Sequence, residues 1–309
     1  MIGIDVGGAN LKIVDEDGVH IHYCPLWRES NLAEILAEYR GTDAAVVMSG
    51  ELADGFFNKT EGIAYIVRAV QQTFPDAIFY GTDGEFHTSA CPELAAANWL
   101  ASVDCLRRTY PDGMMLDIGS TTADIVPFAK FEELRGLTDT LRLQRGYLVY
   151  TGMLRTPVAT LANSAVIDGV ATPFSTEYFA CSGDAHYVLG HITDAEYTAA
   201  TPDGKEVSRE ACLRRLARTV CADLEEIGDA GAVAVAQAFW DAQKTLVCDA
   251  VAKTAVTAAV ASGSIIVGGI GSPVFSPLVG GTDLTAAVGI PSDALPAFAV
   301  KELAETRVQ

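Results

Sequence analysis

A chain of 309 residues, half of them apolar, is long enough to bury about two domain-sized cores. Its formal net charge of −19 argues against nucleic acid or an anionic membrane as partner, and any anion it binds must be held by local Lys, Arg, backbone N–H groups or a metal. The seven cysteines are odd in number and widely spread, with no Cys-x-x-Cys, and Met1-Ile2-Gly3 opens no secretory leader. A disulfide framework and a structural zinc are thus disfavoured and a cytoplasmic location is expected, an acidic surplus being equally compatible with a salty cytoplasm.

Taken in order, short apolar runs at 2–4, 11–14 and 19–23, parted by Gly7-Gly8 and by Asp15-Glu16-Asp17-Gly18, predict an antiparallel meander. Asn31 and Glu34 have the spacing of a capping pair for a helix carrying Leu32, Ile35, Leu36 and Tyr39. A buried strand over 44–48 leads to Ser49-Gly50-Glu51, a helix over 60–73 aligns Ile63, Ile66, Val67 and Val70, and a strand covers 77–80. A helix from Pro92 to about Leu106 closes the half. This is the element order of a ribonuclease-H-like lobe.

The pattern restarts at Met114, with strands expected at 114–117, 122–128 and near 141–143, so an internal structural repeat is predicted. From Gly146 to about Gly190 the chain turns irregular, with Pro157 and Pro173, which reads as a functional insertion. Helices are expected over 205–227 and 232–262; Asp241, Lys244, Asp249 and Lys253 make the second a core helix rather than a membrane span. An apolar run at 265–267 enters Gly268-Gly269-Ile270-Gly271, a strand is expected near 286–290, and a helix over 294–305 returns to the first half. The expected domains are 1–112, completed by 293–309, and 113–292 with its insertion at about 146–190.

The stretch from Met114 to Phe128 organises the chain. An apolar run ends in Asp117, Gly119-Ser120-Thr121-Thr122 follows, and a second apolar run leaves through Ile125 and Val126. Small residues let N–H groups and hydroxyls approach an anion, and a carboxylate at the end of the strand can hold a hydrated cation. Such a turn also caps ordinary hairpins. The chain opens, however, with a second copy, Asp5-Val6-Gly7-Gly8-Ala9-Asn10-Leu11-Lys12.

The pair resembles the phosphate loops of the actin, heat-shock chaperone and sugar-kinase superfamily. The resemblance implies an α/β actin-like ATPase fold of two ribonuclease-H-like lobes with an interlobe cleft, in which Asp5 and Asp117 organise Mg2+ through water. It also implies a phosphate site lined by Gly7, Gly8, Asn10, Lys12, Gly119, Ser120, Thr121 and Thr122, with Gly268 and Gly269 at the position of an adenosine-binding loop. Asp117 to Asp124 most resembles the hydantoinase/oxoprolinase branch. Ser49-Gly50-Glu51-Leu52, Lys59-Thr60-Glu61-Gly62, the run from Tyr150 to Val158 and Gly183-Asp184-Ala185-His186 are similar to a small family of tetrahydromethanopterin-linked one-carbon metabolism. That likeness implies a transferase of methanofuran biosynthesis, which joins an aminomethylfuran methyl diphosphate to the phenolic amine γ-glutamyltyramine and releases diphosphate.

Arg155, rigidly set before Thr156-Pro157, is a candidate diphosphate clamp because a guanidinium forks onto phosphate oxygens; a surface ion pair is the alternative. Lys59 is a second catalytic cation candidate. Glu51, Asp124 and His186, the last close to Asp184, are candidate bases for a phenol, while His20 and His22 have strand spacing and no third metal ligand nearby. Mg2+ is the expected cofactor; ATP is allowed but not required. An ATP-dependent kinase or amidase, or a non-catalytic nucleotide switch, are the other function classes the superfamily supplies. The sequence is compatible with an oligomer.

Overall fold

The computed structural model describes residues 1–27, 31–261, 263–289 and 292–308. The chain divides into two compact units, one of Met1–Met115, Val126–Arg145 and Leu284–Gln309, the other of Leu116–Ile125 and Gly146–Asp283. The stretch Val126–Arg145, which the sequence reading put in the second half, thus groups with the first unit.

The first unit is built on a six-stranded sheet, β3-β2-β1-β4-β5-β6, made of β1 (Ile2–Val6), β2 (Asn10–Val14), β3 (Val19–Tyr23), β4 (Ala44–Met48), β5 (Ile78–Tyr80) and β6 (Phe86–His87). The antiparallel meander β1-β2-β3 continues into parallel pairing of β1 with β4 and of β4 with β5. Every residue of β1 and β4 is buried, as expected of parallel strands covered on both faces. Ile2, Ile4 and Val6 join Leu11, Ile13, Val46 and Met48 in the main core, against Ile63, Ile66, Val67 and Val70 of α2 (Lys59–Thr73). Asn58 caps α2 by accepting from the Glu61 N–H at 3.0 Å.

By strand alternation Gly3 and Asp5 share the opposite face. There α10 (Leu295–Val308) lies so close to β1 that a Cβ at Gly3 would overlap the Ala297 carbonyl. The unit also holds α1 (Leu32–Leu36), α3 (Asn98–Leu106), α4 (Asp139–Arg145) and α9 (Leu284–Val288).

The second sheet has the order β13-β12-β7-β8-β9: β7 is Met114–Ile118, β8 Ala123–Pro127, β9 Leu148–Val149, β12 Ile265–Gly268 and β13 Thr282–Asp283. A separate hairpin pairs β10 (Ser164–Ile167) with β11 (Val170–Pro173). The second unit's helices are α5 (Ser182–Leu189), α6 (Arg209–Arg218), α7 (Leu224–Thr257) and α8 (Ser272–Val279).

Four expectations are corrected. Residues 141–143 belong to helix α4, because the Thr138 hydroxyl accepts from the Leu141 N–H and Arg142 reaches back to Asp139; the third strand of that meander is β9. Residues 286–288 are helical in α9, which Gly289 ends at φ +80°, and Ile290 lies outside the described residues. The helix from Pro92 is interrupted, since Ala96 takes φ +49° after a single 3-10 turn. The expected helix over 205–227 spans only Arg209–Arg218, and Asp223 with Glu226 forms a capping box that starts α7, which kinks at Gly228 (φ +61°) in the gap expected before 232; Ser262 lies outside the described residues.

The Gly3 contact gives a test. Gly3→Ala should cost about 1–3 kcal/mol in urea unfolding, the usual penalty for overpacking a filled site. Unchanged stability would mean that α10 is not seated on β1 in solution.

Candidate active site

In the first unit the β1–β2 turn carries Asp5, Gly7, Gly8, Asn10 and Lys12. The Gly7 N–H donates to the Asn10 carbonyl at 3.0 Å, while the N–H groups of Cys24 and Leu26 donate to the carbonyls of Ala9 and Gly8, both at 2.9 Å. Those bonds engage the turn's oxygens, the groups that would repel an anion. Asp5 and Lys12 face each other in register, with Nζ to Oδ2 at 3.9 Å. The Asp5 side chain is buried at 3% residue exposure and its Oδ1 has no hydrogen-bond partner. Burial holds the Asp5 carboxyl above its usual range, and Lys12 only partly opposes this.

Beside that turn runs the segment leaving β4. The Ser49 and Gly50 N–H groups donate to the Val6 carbonyl, and a Cβ on Gly50 would lie 2.8 Å from the Gly7 carbonyl oxygen. Glu51 follows, 1% exposed, with Oε1 3.9 Å from Lys59 Nζ and Oε2 unpartnered. Lys59 opens α2 beside it. The first unit therefore presents two buried carboxyls, each beside a lysine and each with one unsatisfied oxygen, at the carboxyl ends of adjacent parallel strands. In open α/β sheets, ligands bind at that edge.

In the second unit the structure joins three segments that are remote in sequence. The carbonyl of Gly119 accepts from the Met153 N–H at 2.9 Å, that of Ser120 from the Leu154 and Arg155 N–H groups at 3.0 and 3.1 Å, and that of Ile118 from the Gly271 N–H at 3.0 Å. Gly152 has no room for a Cβ, which would stand 2.5 Å from the Thr121 nitrogen; Gly269, at φ +78°, would place one 2.5 Å from Asp117 Oδ1. The hairpin from Asp117 to Thr122, the Arg155 loop and the Gly268-Gly269 turn are thus one assembly. Arg155 is exposed and, among the described residues, forms no ion pair.

A buried polar chain braces this loop from behind. The Gln243 amide, on α7, donates at 2.9 Å both to Thr151 Oγ1 and to the Gly152 carbonyl, and Thr156 Oγ1 accepts from the Gly152 N–H at 3.0 Å. With its NH2 so committed, Gln243 turns Oε1 to His186 Nε2 at 2.8 Å, which assigns the proton to Nε2; His186 Nδ1 then accepts from His191 at 2.9 Å. Burial, with His191 adding to it, pushes the His186 pKa down to about 3. A neutral imidazole with both nitrogens engaged is not a base. Asp184 is likewise committed, accepting from Arg215 Nε at 2.8 Å and the Tyr197 hydroxyl at 3.1 Å.

Of the residues expected at the site, Asp5, Gly7, Gly8, Asn10, Lys12 and Lys59 lie in the first unit, and Asp117, Gly119, Ser120, Thr121, Thr122, Arg155, Gly268 and Gly269 in the second. Gly152 and Gln243 were not singled out; a glycine preceding an arginine loop was the available signal for the former. Among the described residues no group of three or more His, Cys, Asp or Glu side chains is arranged to hold a metal, and no helix is long and apolar enough to cross a membrane.

The strain at Asp5 is testable. A carboxyl whose folded pKa is raised contributes most stability below the ordinary carboxylate range, and that contribution is lost as pH rises through the folded value. Asp5→Asn should therefore stabilise the protein at neutral pH by on the order of 0.5–2 kcal/mol, with the advantage disappearing in acid. A lower melting temperature for the variant at pH 7 would show that the carboxylate is satisfied.

Comparison with known proteins places these features in a family. The hydantoinase/oxoprolinase family model matches residues 42–292. A curated relative from Methanocaldococcus jannaschii, the (4-{4-[2-(gamma-L-glutamylamino)ethyl]phenoxymethyl}furan-2-yl)methanamine synthase, is 39% identical over 243 residues, covering 74% of each chain. The synthase of the same name from Methanococcus vannielii is 35% identical over 140 residues, 45% of this chain and 63% of that one. Among solved structures, the nucleotide-free acetone carboxylase aligns over 97% of this chain and 69% of its own with a TM-score of 0.53 at 10% identity, a likeness of fold alone. With its two mixed sheets the chain has the actin-like α/β fold. It belongs to the hydantoinase/oxoprolinase family.

Proposed function

We propose that the protein is a transferase of methanofuran biosynthesis that condenses an aminomethylfuran methyl diphosphate with γ-glutamyltyramine, forming an aryl ether and releasing diphosphate in the cytoplasm. The observation that carries this reading is the 39% identity, over 74% of the chain, to a synthase whose name contains that phenoxymethyl-furan link. The chemistry is coherent: the furan oxygen delocalises positive charge onto the ring as the exocyclic carbon loses its leaving group, so the demand on the protein is to stabilise the departing diphosphate.

The second unit's loop assembly suits that demand. With the carbonyls of Ile118, Gly119 and Ser120 tied back, the turn is left with N–H groups and the hydroxyls of Ser120, Thr121 and Thr122 for phosphate oxygens, and Arg155 supplies an uncommitted guanidinium. Lys12 and Lys59 are the first unit's cations. The residues of this turn fit a magnesium ion: the Asp117 carboxylate, held against the Gly269 backbone, is a hard oxygen donor of the kind that Mg2+ takes one or two of. Bound with the diphosphate, the ion would supply charge neutralisation.

Three outcomes check this reading. Mg2+ and pyrophosphate together should raise the melting temperature well beyond either alone, because a metal with few protein ligands depends on phosphate oxygens; equal stabilisation by pyrophosphate in chelator would remove the metal. Arg155→Ala should slow ether formation about a hundredfold in kcat, the usual loss for one preorganised donor, and Arg155→Lys should recover only part. ATP should be neither consumed nor needed. Stoichiometric ADP release would promote the kinase or amidase alternative.

A further inference from the structure

Glu51 is a buried acid of the first unit with a bare oxygen for which the diphosphate reading has no use, whereas the buried Asp104 is taken by Tyr80 and Arg107. Its backbone is pinned on both sides: a Cβ on Gly62 would overlap its carbonyl oxygen, and Gly50 abuts the β1–β2 turn. Oε1 stands 3.9 Å from Lys59 Nζ, beyond hydrogen-bond range; the N–H groups of Glu51 and Ala96 reach the carboxyl, but Oε2 is left without a partner. Leaving a buried acceptor without a donor is unfavourable, and more so when it is charged. Lys59, 36% exposed in its side chain, is on the solvent side of the pair.

The charged groups facing Glu51 are Lys59 from α2 and Asp139 from α4, the latter bound by Arg142 Nη1 at 2.9 Å. Burial raises the Glu51 pKa, Asp139 adds to this, and Lys59 and backbone N–H groups oppose it without winning. A phenol, with a pKa of about 10, gives its proton poorly to an ordinary carboxylate and better to one shifted toward neutrality. Of the acids and bases considered from sequence, His186 is locked neutral. Glu51 keeps an orphaned oxygen, with the half-exposed Lys59 cation beside the same carboxyl.

We propose that Glu51 is the general base of ether formation, taking the phenolic proton on Oε2, and that Lys59 stabilises the phenolate oxygen as it forms. The proposal rests on the transferase reading above. In the step, the phenol O–H bond breaks and its proton goes to Glu51; the oxygen pair forms the new bond to the furylmethyl carbon. The bond from that carbon to the diphosphate oxygen breaks, and its electron pair leaves with diphosphate. Glu51 returns the proton to water before the next turnover.

A free-energy relation over acceptor acidity tests this. Wild type and Glu51→Gln are assayed with γ-glutamyltyramine and with ring-fluorinated versions of falling phenol pKa, at several pH values. Glu51→Gln should lose about 10²-fold or more in kcat/KM with the parent acceptor, in the range for a general base, and less than about tenfold with the most acidic phenol. The acid limb of the wild-type pH profile should vanish in the variant. Glu51→Asp should restore part of the rate. An equal loss across all phenols would mean a structural or binding role and overturn the proposal, as would no loss. Should Glu51→Gln not fold, the wild-type profile decides: absence of an acid limb above the ordinary carboxylate range overturns the assignment, and its presence, steepest for the weakest phenol, supports it. Failure of wild type to make ether from any acceptor removes the reaction itself and the role with it, which separates that failure from one of Glu51 alone.

Discussion

Backbone approaching backbone, with no space for a Cβ between, is the constraint on which both candidate sites depend. Gly152 lies against Ser120 and Thr121, Gly269 against Asp117 and Ile118, Gly50 against Gly7, and Gly62 against Glu51. At Gly152 and at the Gly268-Gly269 turn the approach comes with main-chain hydrogen bonds to the Asp117–Thr122 turn. In both phosphate-type hairpins the same thing results: outside segments donate to the turn's carbonyls. A hairpin whose oxygens are already taken presents the positive ends of its peptide dipoles, which is a binding surface for an anion. A protein with net charge −19 needs such fixed, local dipoles, because its long-range field opposes anionic ligands.

The same requirement explains the asymmetry between carboxyls. Asp184 is fully buried yet satisfied, with Arg215, Tyr197 and the Cys181 N–H around it. It ties α5 to α6 and leaves nothing over for chemistry. Asp5 and Glu51 are nearly as buried but have loose lysine partners at 3.9 Å and one bare oxygen each. Packing alone does not produce that state, since an apolar side chain would be more stable there. Two buried carboxyls, each with a bare oxygen, at the carboxyl ends of adjacent strands are what distinguish the candidate site from Asp184 and its partners.

Much of this was legible in the chain. The two Asp-x-Gly turns lie between strands as their apolar flanks imply, and the Gly268-Gly269 turn follows its strand. Local rules failed where two of them competed. Leu141 and Leu143 alternate like a strand, but Thr138 and Asp139 supply a helix start that outweighs two apolar residues. The acidic run before α7 likewise holds a capping box inside an otherwise continuous helical pattern. Gln243 was illegible for a different reason: its partners are 91 and 92 residues away, and nothing in its Ala-rich surroundings marks it as other than core. Likewise, whether Glu51 is bare or paired is decided by packing and not by spacing.

The neutrality of the brace behind Arg155 completes the electrostatic argument. His191, His186, Gln243 and Thr151 form a hydrogen-bonded chain in which no member carries charge, because burial keeps His186 deprotonated well below neutrality. An acid in place of Gln243 would also hold the loop, but its field would attract the guanidinium and weaken its hold on an external anion. A cation there would repel Arg155 and loosen the loop. A fully satisfied neutral network does neither, and it is rigid because each member has a single compatible tautomer or amide orientation. The loop can thus be fixed to the scaffold while the exposed Arg155 keeps its whole positive charge, as the proposed stabilisation of a departing diphosphate would require.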